Sequence, residues 1–116
     1  MTPVGNELLQ ELLKFRRDRD WQQFHTPRNL SAALVTEAAE LLECFQWARD
    51  AELVDLVARE RQAIEDEIAD VAILLSYLCN DLDVDLDSAV RKKLRKNEAK
   101  YPVHLAHGTA KKYDKF

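Results

Sequence analysis

Two pairs of carboxylates stand inside apolar stretches of the sequence, where charged side chains are not expected. Glu37 and Glu40 interrupt a stretch of alanine and leucine. Glu67 and Asp70 interrupt a stretch of isoleucine, alanine, valine and leucine. Each pair has a spacing of three, so on a helix its two carboxylates project from one face, one turn apart. Carboxylates buried together without cations are unfavourable and raise each other's pKa values. We therefore expect these four acids to bind a divalent cation.

All four candidate ligands offer oxygen atoms, which predicts Mg²⁺ as the bound ion, with Mn²⁺ as the alternative. The three histidines, His25, His104 and His107, lie outside the acid-bearing stretches. A Glu-x-x-His motif is therefore absent there, which disfavours a di-iron carboxylate site. The other interpretation is that the acids line a solvated stripe and only keep the helices soluble.

Charge is distributed unevenly along the chain. Residues 37–70 contain eleven acidic and three basic residues, whereas residues 91–100 contain six basic residues and one acidic residue. Lysine and arginine pair with phosphate oxygens, so a basic segment together with a metal cluster predicts a polyphosphate ligand. The alternative is a solvated helix end, where cations interact favourably with the helix dipole.

Aromatic and amide side chains collect in the segment 20–29 of the sequence. Trp21 and His25 lie in a predicted loop there, Asn29 follows, and Trp47 comes at the end of the next predicted helix. Planar side chains stack on nucleobases, and an amide can hydrogen-bond a base edge in both directions. These residues predict a base-binding site, although tryptophans also serve as ordinary core residues.

The elements that must position these residues are helices. Residues 28–101 contain neither glycine nor proline, whereas an all-β fold needs a turn every roughly 8–12 residues. Apolar periodicity predicts an all-α domain spanning residues 1–116, with a helical core over about 6–100. The expected elements are helices over about 6–19, 30–49, 59–82 and 86–100, a short segment over 51–57, and an ordered or partly ordered tail over 101–116.

Capping residues and apolar faces add two expectations about these helices. Asn29 or Ser31 can cap the second helix, and Asp85 or Asp87 can cap the fourth. The second and third helices are apolar on more than one face, which is typical of helices that also pack against a partner chain. We therefore expect an obligate oligomer.

Several other classes of protein are disfavoured. No stretch approaches the ~18 consecutive apolar residues of a membrane span. The first residues lack the pattern of a signal peptide, and the two cysteines are isolated, so we expect a reducing cytoplasm. A net charge of −4 disfavours binding to a nucleic-acid polymer.

The acid motif and its surroundings resemble a known family. Glu37-x-x-Glu40 followed by Glu67-x-x-Asp70 is similar to the signature of the all-α nucleoside triphosphate pyrophosphohydrolases, the MazG-like superfamily. Residues 19–30 resemble the RDWxQFHxPRNL segment of the dCTP pyrophosphatase branch. Segments 40–47, 93–105 and 108–113 are similar to that branch as well.

This resemblance implies a fold, a reaction and a set of site residues. The implied fold is a four-helix bundle assembled from paired subunits, as a dimer or a dimer of dimers. The implied reaction is the Mg²⁺-dependent conversion of a (d)NTP, here dCTP or a modified dCTP, to (d)NMP and pyrophosphate, which cleanses the nucleotide pool. The implied metal ligands are Glu37, Glu40, Glu67 and Asp70, with Glu37 or Glu40 as the catalytic base. The implied base contacts are Trp21, His25, Asn29 and Trp47, and the implied phosphate contacts are Arg28, Lys93, Asn97 and Tyr101.

Two alternatives to this function remain open from the sequence. A related pyrophosphohydrolase acting on dUTP or on a phosphoribosyl-ATP intermediate would keep similar acids, although the segment 19–30 argues against both. The acids could also bind metal structurally in a helical oligomerisation or regulatory module that has no catalytic activity. Release of pyrophosphate from a panel of nucleotides separates these possibilities.

Overall fold

The computed structural model of the protein describes residues 2–116, and these residues form helices and turns but no strand. The predicted all-α class is therefore confirmed. The helices are α1 (Asn6–Asp18), α2 (Pro27–Glu43), α3 (Leu53–Arg59), α4 (Arg61–Asp81), α5 (Leu86–Lys100) and α6 (Val103–Ala106). Single 3₁₀ turns occupy Gln22–Phe24, Asp50–Glu52 and Tyr113–Lys115. Within residues 2–116, every helix is too short or too polar to cross a bilayer.

The chain divides into two compact units, one up to Val84 and one from Asp85 to Phe116. The first unit contains α1 to α4, and α4 is its central helix because α1, α2 and α3 all pack against it. Its buried apolar residues come from α1, α2 and α4 and are Leu9, Leu30, Ile64, Tyr77 and Cys79. The longest helix of the chain, α4, therefore holds the acid-bearing helix α2 in place.

Helix α2 begins earlier than the sequence pattern indicated. Thr26 is its N-cap, and the Thr26 side-chain oxygen accepts a hydrogen bond from the backbone N–H of Asn29 at 3.1 Å. The prediction that Asn29 or Ser31 caps this helix was wrong. The reason is Pro27, which is well suited to the first helical position because the N–H that proline lacks has no partner there.

Helix α2 also ends earlier, at Glu43 rather than near residue 49. The chain continues there in tighter turns, with the N–H groups of Cys44 and Phe45 donating to the carbonyl oxygens three residues before them. Trp47 therefore lies in a turn beyond α2 and is 86% exposed. The short predicted segment that follows is present as α3.

The second unit contains α5 and the tail. Asp85 caps α5, and its side chain accepts from the N–H of Ser88 at 3.3 Å, which is one of the two capping options expected. The tail includes the short helix α6, and Tyr101 packs edge-on against the rings of Tyr113 and Phe116, at centroid distances of 6.0 and 5.8 Å. These ring contacts are local to the second unit and order its end.

Candidate functional site

Three carboxylates converge where α2 packs against α4. Glu37 comes from α2, and Glu67 and Asp70 come from successive turns of α4. One oxygen atom from each of these side chains lies within 4.8 Å of the others. Neighbouring oxygen ligands on one Mg²⁺ ion lie roughly 3–4 Å apart, so the oxygen atoms of this group are only slightly farther apart than the ligands of a bound ion. The fold therefore brings together three of the four predicted metal ligands.

Glu40 adjoins this group from the next turn of α2. It is outside the three-oxygen group found among residues 2–116, but its carboxylate raises the pKa values of both Glu37 and Glu67. Glu40 is thus close enough to interact with acids from both helices. We refer to Glu37, Glu40, Glu67 and Asp70 as the acid cluster.

The acid cluster is electrostatically unsatisfied. Interaction with Glu40 is the main cause that raises the pKa of Glu37 to about 7, and burial and the charges of Asp70 and Glu67 add to it. Burial is the main cause that raises the pKa of Glu67. In the described chain, the Oε2 atoms of Glu37 and Glu67 are shielded from solvent and have no hydrogen-bond partner. A cation would satisfy both atoms.

The donor set of the acid cluster fits a hard divalent cation. All four side chains offer carboxylate oxygens, and magnesium prefers oxygen ligands. None of the ion pairs formed within residues 2–116 involves a member of the cluster. Like charges that no protein cation pairs with are the arrangement that a bound metal ion stabilises.

Members of the acid cluster line two cavities of the first unit. The first has a volume of about 500 Å³ and is lined by Glu37, Asp70 and Glu11 together with apolar and aromatic side chains of α1, α2, α4 and the loop between α1 and α2. The second has a volume of about 470 Å³ and is lined by Glu40 and Glu67 together with further charged side chains, among them Arg59. The first cavity suits a planar organic group next to a charged centre.

Two of the four residues predicted to contact a base line the first cavity. Trp21 packs edge-on against Phe15 at 5.7 Å between ring centroids, and His25 lies 5.2 Å from the ring of Tyr77. Burial lowers the pKa of His25, which favours the neutral form of the imidazole. Its Nδ1 atom is buried and has no hydrogen-bond partner in the described chain.

The other two predicted base contacts do not line this cavity. Asn29 uses its side-chain N–H to donate to the carbonyl oxygen of Phe24 at 2.9 Å, which ties the start of α2 to the preceding loop. Trp47 lies beyond the end of α2 and is largely exposed. Their contact with a base stays a prediction.

The residues predicted to contact phosphate lie in two different parts of the chain. Arg28 is exposed in the first turn of α2, whereas Lys93 and Asn97 belong to α5 in the second unit and Tyr101 follows that helix. Spacings of four residues put Lys93 and Asn97 on one face of α5, with Tyr101 one turn further along the chain. A common face is consistent with contact to one ligand. The contact of these residues with phosphate also stays a prediction.

A buried ion pair was missed by the sequence analysis. Arg16 has a side chain that is 4% exposed and donates from both terminal nitrogens to the two carboxylate oxygens of Asp81, each at 2.8 Å. Its guanidinium also lies over the ring of Tyr77, 4.6 Å from the centroid. The available signal was the spacing of seven residues from the buried Leu9, which places Arg16 on the inward face of α1.

Unpaired carboxylates on facing helices of an all-helical fold are typical of proteins that build a metal site from packed helices. A family model described as the MazG-like family matches residues 33–116, which is most of the chain. The chain therefore belongs to the MazG-like family, as the motif resemblance indicated.

Curated relatives and a solved structure agree with this assignment. The chain is 48% identical over 102 residues to dCTP pyrophosphatase 1 of Rattus norvegicus and 46% identical over 102 residues to dCTP pyrophosphatase 1 of Homo sapiens. Each match covers 86% of this chain, and the chain spans about 60% of the length of each relative. A crystal structure of a pyrophosphatase from Archaeoglobus fulgidus is similar with a TM-score of 0.79 and 45% identity, over 83% of this chain and 90% of that one.

Proposed function

We propose that this protein is a nucleoside triphosphate pyrophosphohydrolase that converts dCTP or a modified dCTP to the monophosphate and pyrophosphate. The observation that carries the proposal is the acid cluster, in which two buried oxygen atoms have no partner within residues 2–116 and which adjoins an aromatic cavity. The curated relatives named as dCTP pyrophosphatases support cytosine as the base. In the cell, this reaction removes excess or modified deoxycytidine triphosphates before a polymerase can use them.

The acid cluster would hold Mg²⁺, with Mn²⁺ as the alternative. When bound, the ion supplies positive charge for the triphosphate and Lewis acidity at the α-phosphate. Glu37 and Glu40 come from α2, and Glu67 and Asp70 come from α4, so all four proposed ligands depend on the packing of two helices. Placing ligands on packed helices preorganises the site before substrate binds.

The protein's own carboxylates also move the proton. Water that attacks the α-phosphorus must lose a proton, and a carboxylate with a raised pKa is suited to accept it near neutral pH. In the metal-free protein the pKa of Glu37 is raised to about 7, and a bound cation would lower it, so the general base would be whichever of Glu37 and Glu40 is not fully engaged in holding the ion. Pyrophosphate leaves as the phosphorus–oxygen bond on its side breaks.

Substrate contacts beyond the acid cluster divide into base and phosphate groups. We assign Trp21 and His25 to the base, because both line the first cavity with Glu37 and Asp70. Asn29 and Trp47 remain proposed base contacts on the motif resemblance. The proposed phosphate contacts, which rest on the same resemblance, are Arg28, Lys93, Asn97 and Tyr101.

The working form of the protein is proposed to be a homodimer or homotetramer in which paired subunits complete a four-helix bundle. Large apolar side chains remain exposed on both acid-bearing helices, including Val35 and Leu42 on α2 and Ile68 on α4. Such side chains normally pack against another surface. Residues 1–116 are proposed to form one functional domain that acts in the cytoplasm on free nucleotides rather than on nucleic-acid polymers or membranes.

The test is the release of pyrophosphate from the common dNTPs, NTPs and 5-substituted dCTP, with and without Mg²⁺. We expect dCTP or its 5-substituted form to give the highest kcat/KM, and EDTA to abolish release. Preference for another base would support a related pyrophosphohydrolase. Metal binding without release from any nucleotide would contradict the proposal and favour a non-enzymatic helical module.

A further inference from the structure

The first cavity carries a carboxylate that does not belong to the acid cluster. One wall of this cavity is a single face of α1, formed by Leu8, Glu11, Leu12 and Phe15. Three of these side chains are apolar, with Leu8 and Phe15 remaining 46% and 45% exposed toward the open cavity, and Glu11 is the exception. Its position in the wall suggests an interaction with whatever occupies the cavity.

The other acidic and hydroxyl groups of this cavity already have a function or a partner. Glu37 and Asp70 belong to the acid cluster, and the Tyr77 hydroxyl donates to the carbonyl oxygen of Leu12 at 2.7 Å. Within the described chain, Glu11 makes neither a hydrogen bond nor an ion pair, and it is exposed to solvent. It is therefore available to a ligand in the cavity.

The chemistry of a carboxylate restricts which ligand group it can recognise. An ionised carboxylate accepts hydrogen bonds and cannot donate one, so it selects a donor. Cytosine and adenine carry an exocyclic amino group, which is a donor, whereas uracil and thymine carry a carbonyl oxygen at the equivalent place. A base that stacks against Trp21 and His25 shares the cavity with Glu11.

We propose that the Glu11 carboxylate accepts a hydrogen bond from the exocyclic amino group of the substrate base, and thereby selects dCTP over dUTP. This inference rests on the proposed function, because it assigns a base-selecting residue to the same site. The carbonyl oxygen of uracil would instead face the carboxylate, which is repulsive. Because Glu11 is exposed and water competes for it, we expect discrimination of about tenfold rather than the larger factors of fully buried sites.

The experiment compares kcat/KM for dCTP and dUTP in the wild type and in two variants, Glu11→Leu and Glu11→Gln. Glu11→Leu removes the acceptor, and Glu11→Gln adds a donor that the uracil carbonyl can use. Glu7→Leu is the matched control, because Glu7 is an exposed acid one turn earlier on α1 that does not line the cavity. Binding of dCMP and dUMP in EDTA, measured by calorimetry, gives a readout that does not depend on turnover.

We expect Glu11→Leu to lower the dCTP-to-dUTP ratio about tenfold, and Glu11→Gln to raise kcat/KM for dUTP, while Glu7→Leu changes neither. A ratio that falls less than about fivefold in Glu11→Leu, or equally in Glu7→Leu, overturns the inference. If the wild type releases pyrophosphate from no nucleotide, the proposed function fails. The relative binding of dCMP and dUMP to the same variants then still decides the function of Glu11.

Discussion

Two groups of charged side chains in the first unit differ in how their charges are satisfied. Arg16 of α1 and Asp81 of α4 pair through two hydrogen bonds of 2.8 Å, and each charge meets its opposite. The acid cluster gathers only carboxylates, and two of its buried oxygen atoms have no partner in the described chain. The ion pair is complete within the protein, whereas the acid cluster needs a ligand. Unsatisfied charge, rather than charge alone, is therefore the feature on which the proposed functional site rests.

The same contrast occurs along a single helix. The guanidinium of Arg16 holds the pKa of Asp81 below its usual range, whereas burial and the neighbouring carboxylates raise the pKa of Glu67. Both acids belong to α4. One carboxylate therefore stabilises the fold as an anion, while the other destabilises it as an anion until a cation binds.

The largest expected effect is the loss of activity when the acid cluster loses one carboxylate. Asp70→Asn and Glu40→Gln each remove a proposed ligand charge, and we expect pyrophosphate release to fall roughly 10³-fold or more, which corresponds to about 4 kcal/mol. The fold should persist, because these variants remove a repulsive charge. Steady-state kinetics with circular dichroism measures both quantities.

Asp66→Asn is the control for these variants. Asp66 adjoins Glu67 in sequence but is exposed and accepts a hydrogen bond only from Gln62 among the contacts of the described chain. Its variant should keep turnover close to that of the wild type. Near wild-type turnover in Asp70→Asn or Glu40→Gln would contradict the assignment of the metal ligands.

Loss of the ion pair should lower stability, whereas loss of an acid-cluster carboxylate should lower activity. Arg16→Met removes the guanidinium and leaves the Asp81 carboxylate without its cation, so we expect the free energy of unfolding to fall by about 3 kcal/mol. Arg17→Met, at an exposed position of the same helix, should change it by less than about 0.5 kcal/mol. Urea denaturation measures both. An equal effect of the two variants would show that the pair is not important for stability.

The sequence predicts the acid cluster but not the ion pair, because the residues of the first are close together in the sequence and those of the second are far apart. The acids occur as local pairs at a spacing of three within apolar stretches, so one helix face suffices to recognise them. Arg16 and Asp81 are 65 positions apart, and no local pattern links them. The start of α2 was missed because Asn29 and Ser31 were the candidate caps, whereas Thr26 caps the helix and Pro27 occupies its first position.

The four predicted base contacts illustrate the same limit. Trp21 and His25 were grouped by their closeness in sequence, and the structure brings both into the first cavity. Trp47 was grouped by its residue type, yet α2 ends before it and leaves it exposed. Residue type predicts what a side chain can bind, whereas helix ends and loop paths decide where it lies.

Acidification should stabilise the metal-free protein through Glu37. The folded pKa of about 7 exceeds the ordinary value of 4.5, so the folded state binds more protons than the unfolded state in that interval. The stabilising contribution of Glu37 is therefore fully present below about pH 4.5 and is lost as the pH rises through about 7. Urea denaturation in EDTA at several pH values within this interval measures the effect.

The Glu37→Gln variant separates this contribution from that of titrating groups outside the acid cluster. His25 has a lowered pKa and so contributes stability that is lost on acidification, but it is present in both proteins and cancels in their difference. Relative to the variant, the wild type should gain stability as the pH falls from about 7 to 4.5. If the difference in the free energy of unfolding between the two proteins stays constant with pH, the acid cluster does not shift the pKa of Glu37.

The smallest expected effect concerns the residue that begins α2, the helix that carries two members of the acid cluster. Thr26→Ala removes the oxygen that accepts from the N–H of Asn29, and we expect a loss of about 1 kcal/mol in the free energy of unfolding. Thr36→Ala is the control, because the Thr36 hydroxyl only donates to a carbonyl oxygen within α2. Since the cap sets where the helix begins and α4 holds the helix in place, kcat should change less than about twofold. A large loss of kcat without loss of stability would instead place Thr26 in the site rather than at the start of a structural helix.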